Sequence, residues 1–334
     1  MHPIRLAIDV MGGDYGPSVI LKGVLEAKRR CGSRFAPCLC GDRDRIRNEL
    51  KALEETDGSL DGDFTLEHCP DSISTEDIPR VWKTRIWKDQ SDSSIIRCIT
   101  LQKEKAVDAS VSAGDTGVLM GAAIFILGRS THSLRPGLGA FLPTTRSRPS
   151  LLLDVGANLK CRASHLSGFG ILGSQYYRTY FSVPDPSVGL LSIGREPRKG
   201  TKALREAAEK LSGLCSGFIG FVEGSEVLEG RADVIVCEGF VGNVLLKACE
   251  SFHTLIQSVL DRRTAEAAHD QLAVLNPDNY GAVPLLGIDG MVFKAHGAAS
   301  STAITNAVLT AITAVEKSAC SEERTRPTER HKRQ

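Results

Sequence analysis

The chain alternates short apolar runs that end in glycine-rich turns with longer segments in which apolar residues recur at the helical period. The runs are apolar at nearly every position, as in strands of a parallel sheet that are buried on both faces. They predict nine strands: Leu6–Val10, Ala36–Cys40, Phe64–His68, Ala109–Ser112, Leu151–Val155, Val188–Ile193, Phe218–Val222, Val234–Cys237 and Met291–Lys294. The alternation predicts a three-layer α/β/α fold with a largely parallel sheet.

Helices are best supported in five segments: Pro17–Arg30, Thr116–Leu127, Thr201–Ser212, Val244–Leu260 and Ser301–Lys317. Ser300 or Ser301 stands where it can cap the last of them. Two amphipathic segments that meet near Asp261 predict a helical hairpin, over about residues 244–276, that projects from the sheet. We expect one α/β/α domain over residues 1–320, followed by a disordered charged tail over residues 321–334.

The composition of the chain argues against several classes of protein. The 334 residues carry 41 Lys and Arg against 40 Asp and Glu, so the net charge is +1 and no overall field would attract nucleic acid. The ten cysteines are scattered, without metal-site spacing, which indicates reduced cysteines used as small hydrophobes and predicts no metal. The longest uncharged apolar stretch, Val118–Leu127, is about half of a membrane span. Because the N-terminus has no signal-peptide pattern, we expect a cytoplasmic protein.

Five predicted strand ends share one design, in which an apolar run stops at a small, glycine-rich turn and a helix follows at once. The turns are Asp9–Asp14, Ser112–Gly117, Asp154–Asn158, Glu238–Asn243 and His296–Ser300. In an open α/β sheet such turns gather at the carboxyl edge, where backbone N–H groups and helix N-termini bind anions. Glycine also ends strands and lets helices pack closely, but polar side chains accompany it at every turn. The pattern therefore predicts a phosphate-binding crevice.

The candidate phosphate ligands are Gly12, Gly13, Asp14, Gly114, Asp115, Thr116, Asn158, Gly242 and Gly297, with Lys247 one helical turn beyond Asn243. Positive charge clusters after the predicted strand Val188–Ile193, and Lys199 is the first choice there for a residue that faces the crevice. Two other patterns are weaker. Gly168–Gly173 matches a dinucleotide fingerprint without the required strand before it, and Gly213–Gly217 mimics a nucleophile elbow but joins a helix to a strand.

Taken in order, these turns resemble those of the phosphate:acyl-acyl-carrier-protein acyltransferase family (PlsX) of bacterial phospholipid synthesis. The matching segments are Met11–Asp14, Val111–Gly117, Asp154–Asn158, Val188–Gly194 with Glu196 and Lys199–Gly200, Gly239–Lys247, Tyr280–Gly281 with Leu285–Gly287, and His296–Gly297. The resemblance runs from Leu6 to about Val315. It implies a fold related to isocitrate dehydrogenase and phosphotransacetylase, a homodimer, and no cofactor.

The resemblance also implies a reaction, the transfer of a long-chain fatty acyl group from acyl carrier protein to inorganic phosphate. The acyl phosphate would pass to a membrane glycerol-3-phosphate acyltransferase, so we expect a cytoplasmic enzyme with a peripheral membrane contact. Asp115 stands where the family usually has Asn. A carboxylate there would oppose phosphate unless it is protonated or turned away.

In such a reaction Lys199 would hold phosphate or the developing oxyanion, and Asn243 would donate to the thioester carbonyl. His296 would protonate the departing thiol, or would instead be a histidine satisfied by the backbone. Two other functions stay open: a phosphotransacetylase-like enzyme that uses acyl-coenzyme A, and a catalytically silent scaffold at the membrane. A hydroxy-acid dehydrogenase is disfavoured because the dinucleotide fingerprint is misplaced.

Overall fold

The computed structural model describes residues 2–57, 64–71, 73, 92–130, 135–260, 264 and 275–325. Eleven strands in this part of the chain form one sheet. They are β1 (Ile4–Asp9), β2 (Phe35–Gly41), β3 (Thr65–His68), β4 (Ala109–Ser112), β5 (Gly137–Leu142), β6 (Ser150–Leu153), β7 (Val188–Leu191), β8 (Phe218–Val222), β9 (Val234–Val236), β10 (Ala282–Leu286) and β11 (Val292–Ala295). Their spatial order is β3-β2-β1-β4-β11-β10-β5-β6-β9-β7-β8.

Eight α-helices of the described residues connect the strands and cover the sheet. They are α1 (Gly16–Cys31), α2 (Arg43–Asp57), α3 (Ser94–Lys103), α4 (Thr116–Ala122), α5 (Ala163–Phe181), α6 (Lys202–Leu214), α7 (Gly239–Val259) and α8 (Ser301–Thr325). Helix α4 continues as a π-helical turn over Ala123–Leu127. The Ser300 hydroxyl accepts a hydrogen bond from the backbone N–H of Ala303, so the predicted cap of the last helix is confirmed as Ser300.

The sheet has two parallel parts that run in opposite directions. Strands β3, β2, β1, β4 and β11 are mutually parallel and form what we call the first half. Strands β6, β9, β7 and β8 are also mutually parallel and form the second half. Between the halves, β10 is antiparallel to both β11 and β5, and β5 is antiparallel to β6. The chain direction therefore reverses three times across the centre of the sheet.

Helices cover both faces of the sheet, which explains why the strands are apolar throughout. In β1, Leu6 and Ile8 pack with buried residues of α1 and α8, whereas Ala7 packs on the opposite face with cysteines of β2 and α3. In β6, Leu152 packs with α4, and its two neighbours pack on the other face with α5. The predicted three-layer, largely parallel α/β/α fold is confirmed.

The sequence pattern does not predict strands β5 and β10 or helices α2 and α3. Strand β5 contains Gly137 and Gly139, and glycine is depleted in strands. Strand β10 contains Pro284, which cannot donate a ladder hydrogen bond. Pro284 is the last residue of β10 that pairs with β11, and the following Leu285 pairs with β5. The proline therefore lies where the strand changes partner.

The predicted hairpin and tail fall only partly within the described residues. Helix α7 is the first helix of the hairpin, but residues 261–263 and 265–274 lie outside the described part, so the hairpin stays a prediction. Helix α8 continues to Thr325, so the first residues of the predicted tail are helical, and residues 326–334 lie outside the described part. No helix among the described residues is long and apolar enough to cross a membrane.

We expect Gly281→Ala to destabilise the protein by about 2–4 kcal/mol. Gly281 has φ +57° directly before β10, and a Cβ there would overlap the backbone nitrogen of Ala307 in α8. Gly168→Ala is the matched control, because nothing lies within 4 Å of a Cβ at that position in α5, where alanine should stabilise the helix by about 0.5–1 kcal/mol. Urea unfolding measures both variants. Equal stabilities would contradict the close packing of α8 on the start of β10.

Candidate functional site

A groove of about 430 Å³ lies between helix α7 and the antiparallel centre of the sheet, and we call it the central groove. Its lining is apolar along the two strands and polar where α7 and the end of β11 approach. The lining includes Leu138, Ala140 and Leu142 of β5, Ala282 and Val283 of β10, Asn243, Leu246, Lys247 and Glu250 of α7, and Lys294, His296 and Gly297 at the end of β11. A concave apolar surface with a few convergent polar groups is typical of a small-molecule site.

The glycine-rich turns lie at two opposite edges of the sheet. The turns after β1, β4 and β11 are at the carboxyl ends of the first half, which we call the first edge. The turns after β6 and β9 are at the carboxyl ends of the oppositely directed second half, the second edge. Strand β10 spans the distance between the edges, and its five residues correspond to roughly 13 Å. The prediction that all five turns gather at one edge is therefore wrong.

Helix α7 connects the two edges. It begins with Gly239 at the second edge, and Asn243 lies one turn after that start. One turn further, Nζ of Lys247 lies 2.9 Å from Nε2 of His296 at the first edge. The groove consequently brings together residues from both sets of turns. The predicted site residues that line it are Thr116, Asn243, Lys247, His296 and Gly297.

At the first edge, a buried carboxylate holds the turns together. Asp9, at the end of β1, accepts hydrogen bonds of 2.6 Å from the hydroxyls of Ser94 and Ser112. Burial raises the pKa of Asp9, and these hydroxyl donors oppose the rise. A Cβ at Gly12 would lie 2.6 Å from Oδ2 of Asp9 and from the backbone nitrogen of Gly114. Close packing on Asp9 thus explains why positions 12 and 114 are glycine. Phosphate binding is not needed to explain them.

Two further contacts fix the turns of the first edge. Gly13 has φ +87°, and the N–H of Asp14 donates to the carbonyl oxygen of Gly297 over 2.7 Å, which joins the turns after β1 and β11. Oδ1 of Asp115 accepts from the N–H of Val118 and caps α4. The Asp115 carboxylate is therefore directed to its own helix. A phosphate bound away from this helix start would not be repelled by it.

Lys294 is a groove residue that sequence reasoning missed. It is buried, and its ammonium donates to the carbonyl oxygens of Ala113 and Ala295. Burial lowers the pKa of Lys294 to about 8, against the opposing effect of the carboxylates of Asp115, Asp9 and Asp14. The sequence feature that could have identified it is a lysine near the end of an otherwise apolar strand. Lys294 is therefore a cation at one end of the groove, and the three carboxylates lie around it.

His296 is in contact with a lysine. Lys247 lies between Oε2 of Glu250, at 2.6 Å, and Nε2 of His296, while Nδ1 of His296 accepts from the N–H of Ala298. Burial and then the positive charge of Lys247 lower the pKa of His296. A lowered pKa favours the neutral ring, which disfavours the general-acid role.

At the second edge, the buried carboxylate of Asp154 holds the turn after β6 together, as Asp9 does at the first edge. Its Oδ1 accepts from the N–H groups of Leu138, Gly156 and Ala157, and its Oδ2 accepts from the N–H and the side-chain amide of Asn158. Burial raises the pKa of Asp154, and these donors oppose the rise. The turn after β6 is consequently built around a buried carboxylate that sequence reasoning did not single out.

Three predicted residues of the second edge have different surroundings. Asn158 is buried, and its amide donates to Pro136 and Asp154, so it fixes the turn. A Cβ at Gly242 would overlap the carbonyl oxygen of Asp154, so this glycine allows α7 to start against the turn after β6. Lys199 is exposed in the loop after β7 and lies outside the lining of the central groove.

The weaker sequence patterns have structural explanations. Gly168–Gly173 lies inside helix α5, so no phosphate-binding turn exists there. Gly213–Gly217 joins α6 to β8, as the sequence indicates. Burial raises the pKa of the Cys237 and Cys249 thiols, which disfavours the nucleophilic thiolate at both positions. Within the described ranges, no three His, Cys, Asp or Glu residues are grouped so that they could hold a metal ion.

Comparisons with known proteins identify the relatives of this chain. A family model described as "Fatty acid synthesis protein" matches residues 4–322. The phosphate acyltransferase of Chlorobaculum parvum is 35% identical over 95% of this chain and 97% of its own length, and that of Acetivibrio thermocellus is 36% identical over 92% and 91%. The phosphotransacetylase of Streptococcus pyogenes superposes with a TM-score of 0.66 at 18% identity over 95% and 94% of the two chains. That likeness confirms the predicted phosphotransacetylase-like fold.

We expect Lys247→Met to raise the pKa of His296, because the change removes a positive charge 2.9 Å from the ring. NMR titration of the histidine ring protons measures the pKa. His165 is the internal control: burial, Arg135 and Arg162 lower its pKa, so it should titrate identically in both proteins. An unchanged His296 pKa would show that the contact with Lys247 is not present in solution.

Proposed function

Because this chain belongs to the phosphate acyltransferase family, we propose that it transfers a long-chain fatty acyl group from an acyl-carrier-protein thioester to inorganic phosphate. The observation that carries the proposal is the central groove, whose apolar strands lead to Asn243 at the start of a long helix. The products are an acyl phosphate and the free carrier thiol. Acyl phosphate would then serve phosphatidic acid synthesis through a membrane glycerol-3-phosphate acyltransferase.

The reaction needs positioning and charge stabilisation more than covalent catalysis. A phosphate oxygen attacks the thioester carbonyl carbon, the C–S bond breaks, and the thiolate takes a proton from solvent or from a protein acid. Phosphate is already a nucleophile and a thiolate is already a fair leaving group. The barrier therefore falls mainly when both reactants are held in line and the carbonyl oxygen meets donors as it gains negative charge.

Asn243 and Lys199 are the residues that we propose for this stabilisation. Asn243 is the fifth residue of the 21-residue helix α7, one turn from its start, where its side-chain amide is exposed and the positive end of the helix dipole favours an anion. Lys199 follows β7, a neighbour of β9 in the second half, so its loop belongs to the same edge. We therefore place phosphate and the oxyanion at the second edge. The Asp14 and Asp115 carboxylates make the first edge less suitable.

The acyl chain would occupy the apolar part of the groove. Leu138, Ala140 and Val283 provide a continuous hydrocarbon surface along β5 and β10, which is the surface that a methylene chain requires. This arrangement places the thioester carbonyl at the Asn243 end. His296 would lie beside the acyl chain or the leaving group, and its neutral ring makes a role in binding more suitable than a role as acid.

The phosphotransacetylase-like fold supports a second candidate donor, acyl-coenzyme A, for the same groove. The two donors are distinguished by assaying purified protein with palmitoyl carrier protein and with palmitoyl-coenzyme A. Hydroxylamine traps acyl phosphate as a hydroxamate in both assays. Phosphate-dependent turnover of the carrier thioester supports the proposal, turnover of the coenzyme A thioester alone supports the second candidate, and absence of both indicates a silent scaffold.

We also propose that the protein is a cytoplasmic homodimer with a peripheral membrane contact. The described part of α7 exposes an apolar face, in which Phe252 is 43% exposed, Leu255 is 56% exposed and Val259 is 74% exposed. A face of this kind is costly in water, and a twofold-related copy could cover it by completing a helical bundle. Apolar residues at the end of the bundle could also contact lipid transiently.

Asn243→Ala and Lys199→Ala are each expected to lower turnover by about tenfold to a thousandfold, as for the loss of one transition-state donor. Both side chains are exposed, so the folded state should persist. Asn48→Ala and Lys51→Ala, at exposed positions of α2, are the matched controls. Hydroxamate formation under saturating phosphate measures turnover. A variant with a normal rate would remove its residue from the mechanism.

Leu255→Glu with Val259→Glu is expected to convert the dimer to a monomer, because two charges would enter the centre of the proposed bundle. Light scattering at micromolar concentration measures the mass. Lys247→Glu, on the groove side of the same helix, should remain a dimer. A double variant that stays dimeric, or a monomeric wild type, would exclude α7 as the subunit interface.

A further inference from the structure

The second edge carries an exposed patch that combines apolar and basic side chains. Leu159, Ile193 and Phe240 are 70%, 83% and 61% exposed. They follow β6, β7 and β9, three adjacent strands whose carboxyl ends lie side by side. The N–H of Gly239 donates to the carbonyl oxygen of Asn158, so the segments that carry Leu159 and Phe240 are in contact. We call these three side chains and the basic residues around them the second-edge patch.

Basic side chains surround the apolar residues. Between Ile193 and Arg205 the chain has five basic residues and one acidic residue, although the whole chain has a net charge of only +1. Arg198, Lys199 and Lys202 of this segment are exposed, as are Lys160 and Arg162 after β6. Arg195 pairs with Glu226, which also contacts Arg231. Burial lowers the pKa of His165, and the positive charges of Arg135 and Arg162 lower it further, which is a second sign of positive charge at this edge.

Several of these cations lie at helix starts, where the helix dipole disfavours positive charge. Lys202 is the first residue of α6 and pairs with Glu206, while Arg198 and Lys199 lie shortly before Gly200 and the cap Thr201. Arg162 is the N-cap residue of α5, with Lys160 just before it. Neither helix has an acidic residue in its first turn. The positive end of a helix dipole favours carboxylates and repels cations, so folding alone does not explain lysine and arginine at both helix starts.

We infer that the second-edge patch is the docking surface for an acidic carrier protein that delivers the acyl thioester, an inference that rests on the proposed function. An acidic partner would neutralise the cations and the exposed helix starts, and Leu159, Ile193 and Phe240 would provide apolar contact at the centre. Asn243 follows Phe240 by three residues on α7, so a carrier bound here holds its thioester beside the mouth of the central groove.

The test reverses three exposed charges of the patch together, with Lys160→Glu, Arg198→Glu and Lys202→Glu in one protein. The control protein carries Arg43→Glu, Arg47→Glu and Lys51→Glu, which make the same change in net charge on α2 in the first half of the molecule. Each protein is assayed with two donors of the same acyl group, the carrier-protein thioester and the uncharged acyl-pantetheine. Binding of fluorescently labelled carrier protein is measured separately, so that the test does not depend on turnover.

For the patch variant we expect kcat/KM with the carrier thioester to fall at least about tenfold, mainly through KM, and carrier binding to weaken in parallel. With acyl-pantetheine at saturating phosphate, kcat/KM for the acyl donor should stay within about twofold, since no protein docks. Thermal stability should be maintained or increased, because glutamate at the start of α6 suits the helix dipole. Increased salt should weaken carrier binding to the wild type and to the control protein, but have little effect on the patch variant.

Equal losses with both donors, or an equal loss in the control protein, would overturn the inference. Normal carrier binding by the patch variant with lost binding to phosphatidylglycerol vesicles would assign the patch to a membrane surface instead. If no donor gives acyl phosphate but the wild type binds carrier and the patch variant does not, the docking surface stands and the proposed function fails. Ile193→Ser, which leaves all charges in place, should also raise KM for the carrier thioester only.

Discussion

The reversal of chain direction between β11 and β6 determines where every polar group of the site can lie. In a sheet of parallel strands alone, all strand-to-helix turns would share one edge and would form one crevice. Here β10 and β5 are inserted between two parallel halves, and the turns are divided between two edges. Only an element that crosses the face of the sheet can bring both sets together. Helix α7 does so, with Asn243 at one edge and Lys247 against His296 at the other.

Each edge is stabilised by a buried carboxylate at the end of a strand. Asp9 binds two serine hydroxyls, and Asp154 binds four backbone N–H groups and the amide of Asn158. Removing a carboxylate from water is costly, and burial raises the pKa of both groups, so the donors around them are needed to keep the turns in place. This explains why the adjacent glycines tolerate no side chain. The glycine-rich signature of the sequence therefore reports, in large part, on the packing of these two carboxylates.

The sequence predicts the class of fold well because its strands are buried on both faces, and such strands are continuous apolar runs. It does not predict β5 and β10, because glycine and Pro284 interrupt the pattern where a strand changes partner. That omission has consequences for the site, since the position of a turn depends on strand direction, and direction is not encoded in local apolar periodicity. Asn243, Lys247 and His296 line one groove in the structure, whereas Lys294 is missed because a lysine at the end of a strand normally faces solvent.

The two edges differ in electrostatics, and this difference suggests a division of roles. At the first edge, Lys294 is the buried cation among the carboxylates of Asp9, Asp14 and Asp115, and it has only carbonyl oxygens as hydrogen-bonding partners among the described residues. These carboxylates make the first edge less suited to an anion, and the contacts of Lys294 with Ala113 and Ala295 join the turns after β4 and β11 at this end of the groove. The second edge has three helix starts, exposed cations and the exposed amide of Asn243. An anionic nucleophile and an acidic donor protein would both be attracted to that edge, and they would meet where α7 begins. Because the groove extends from that point along β5 and β10, an acyl chain in the proposed reaction would insert with its methyl end first, and its thioester would come to lie beside Asn243 at the edge where both anions are attracted.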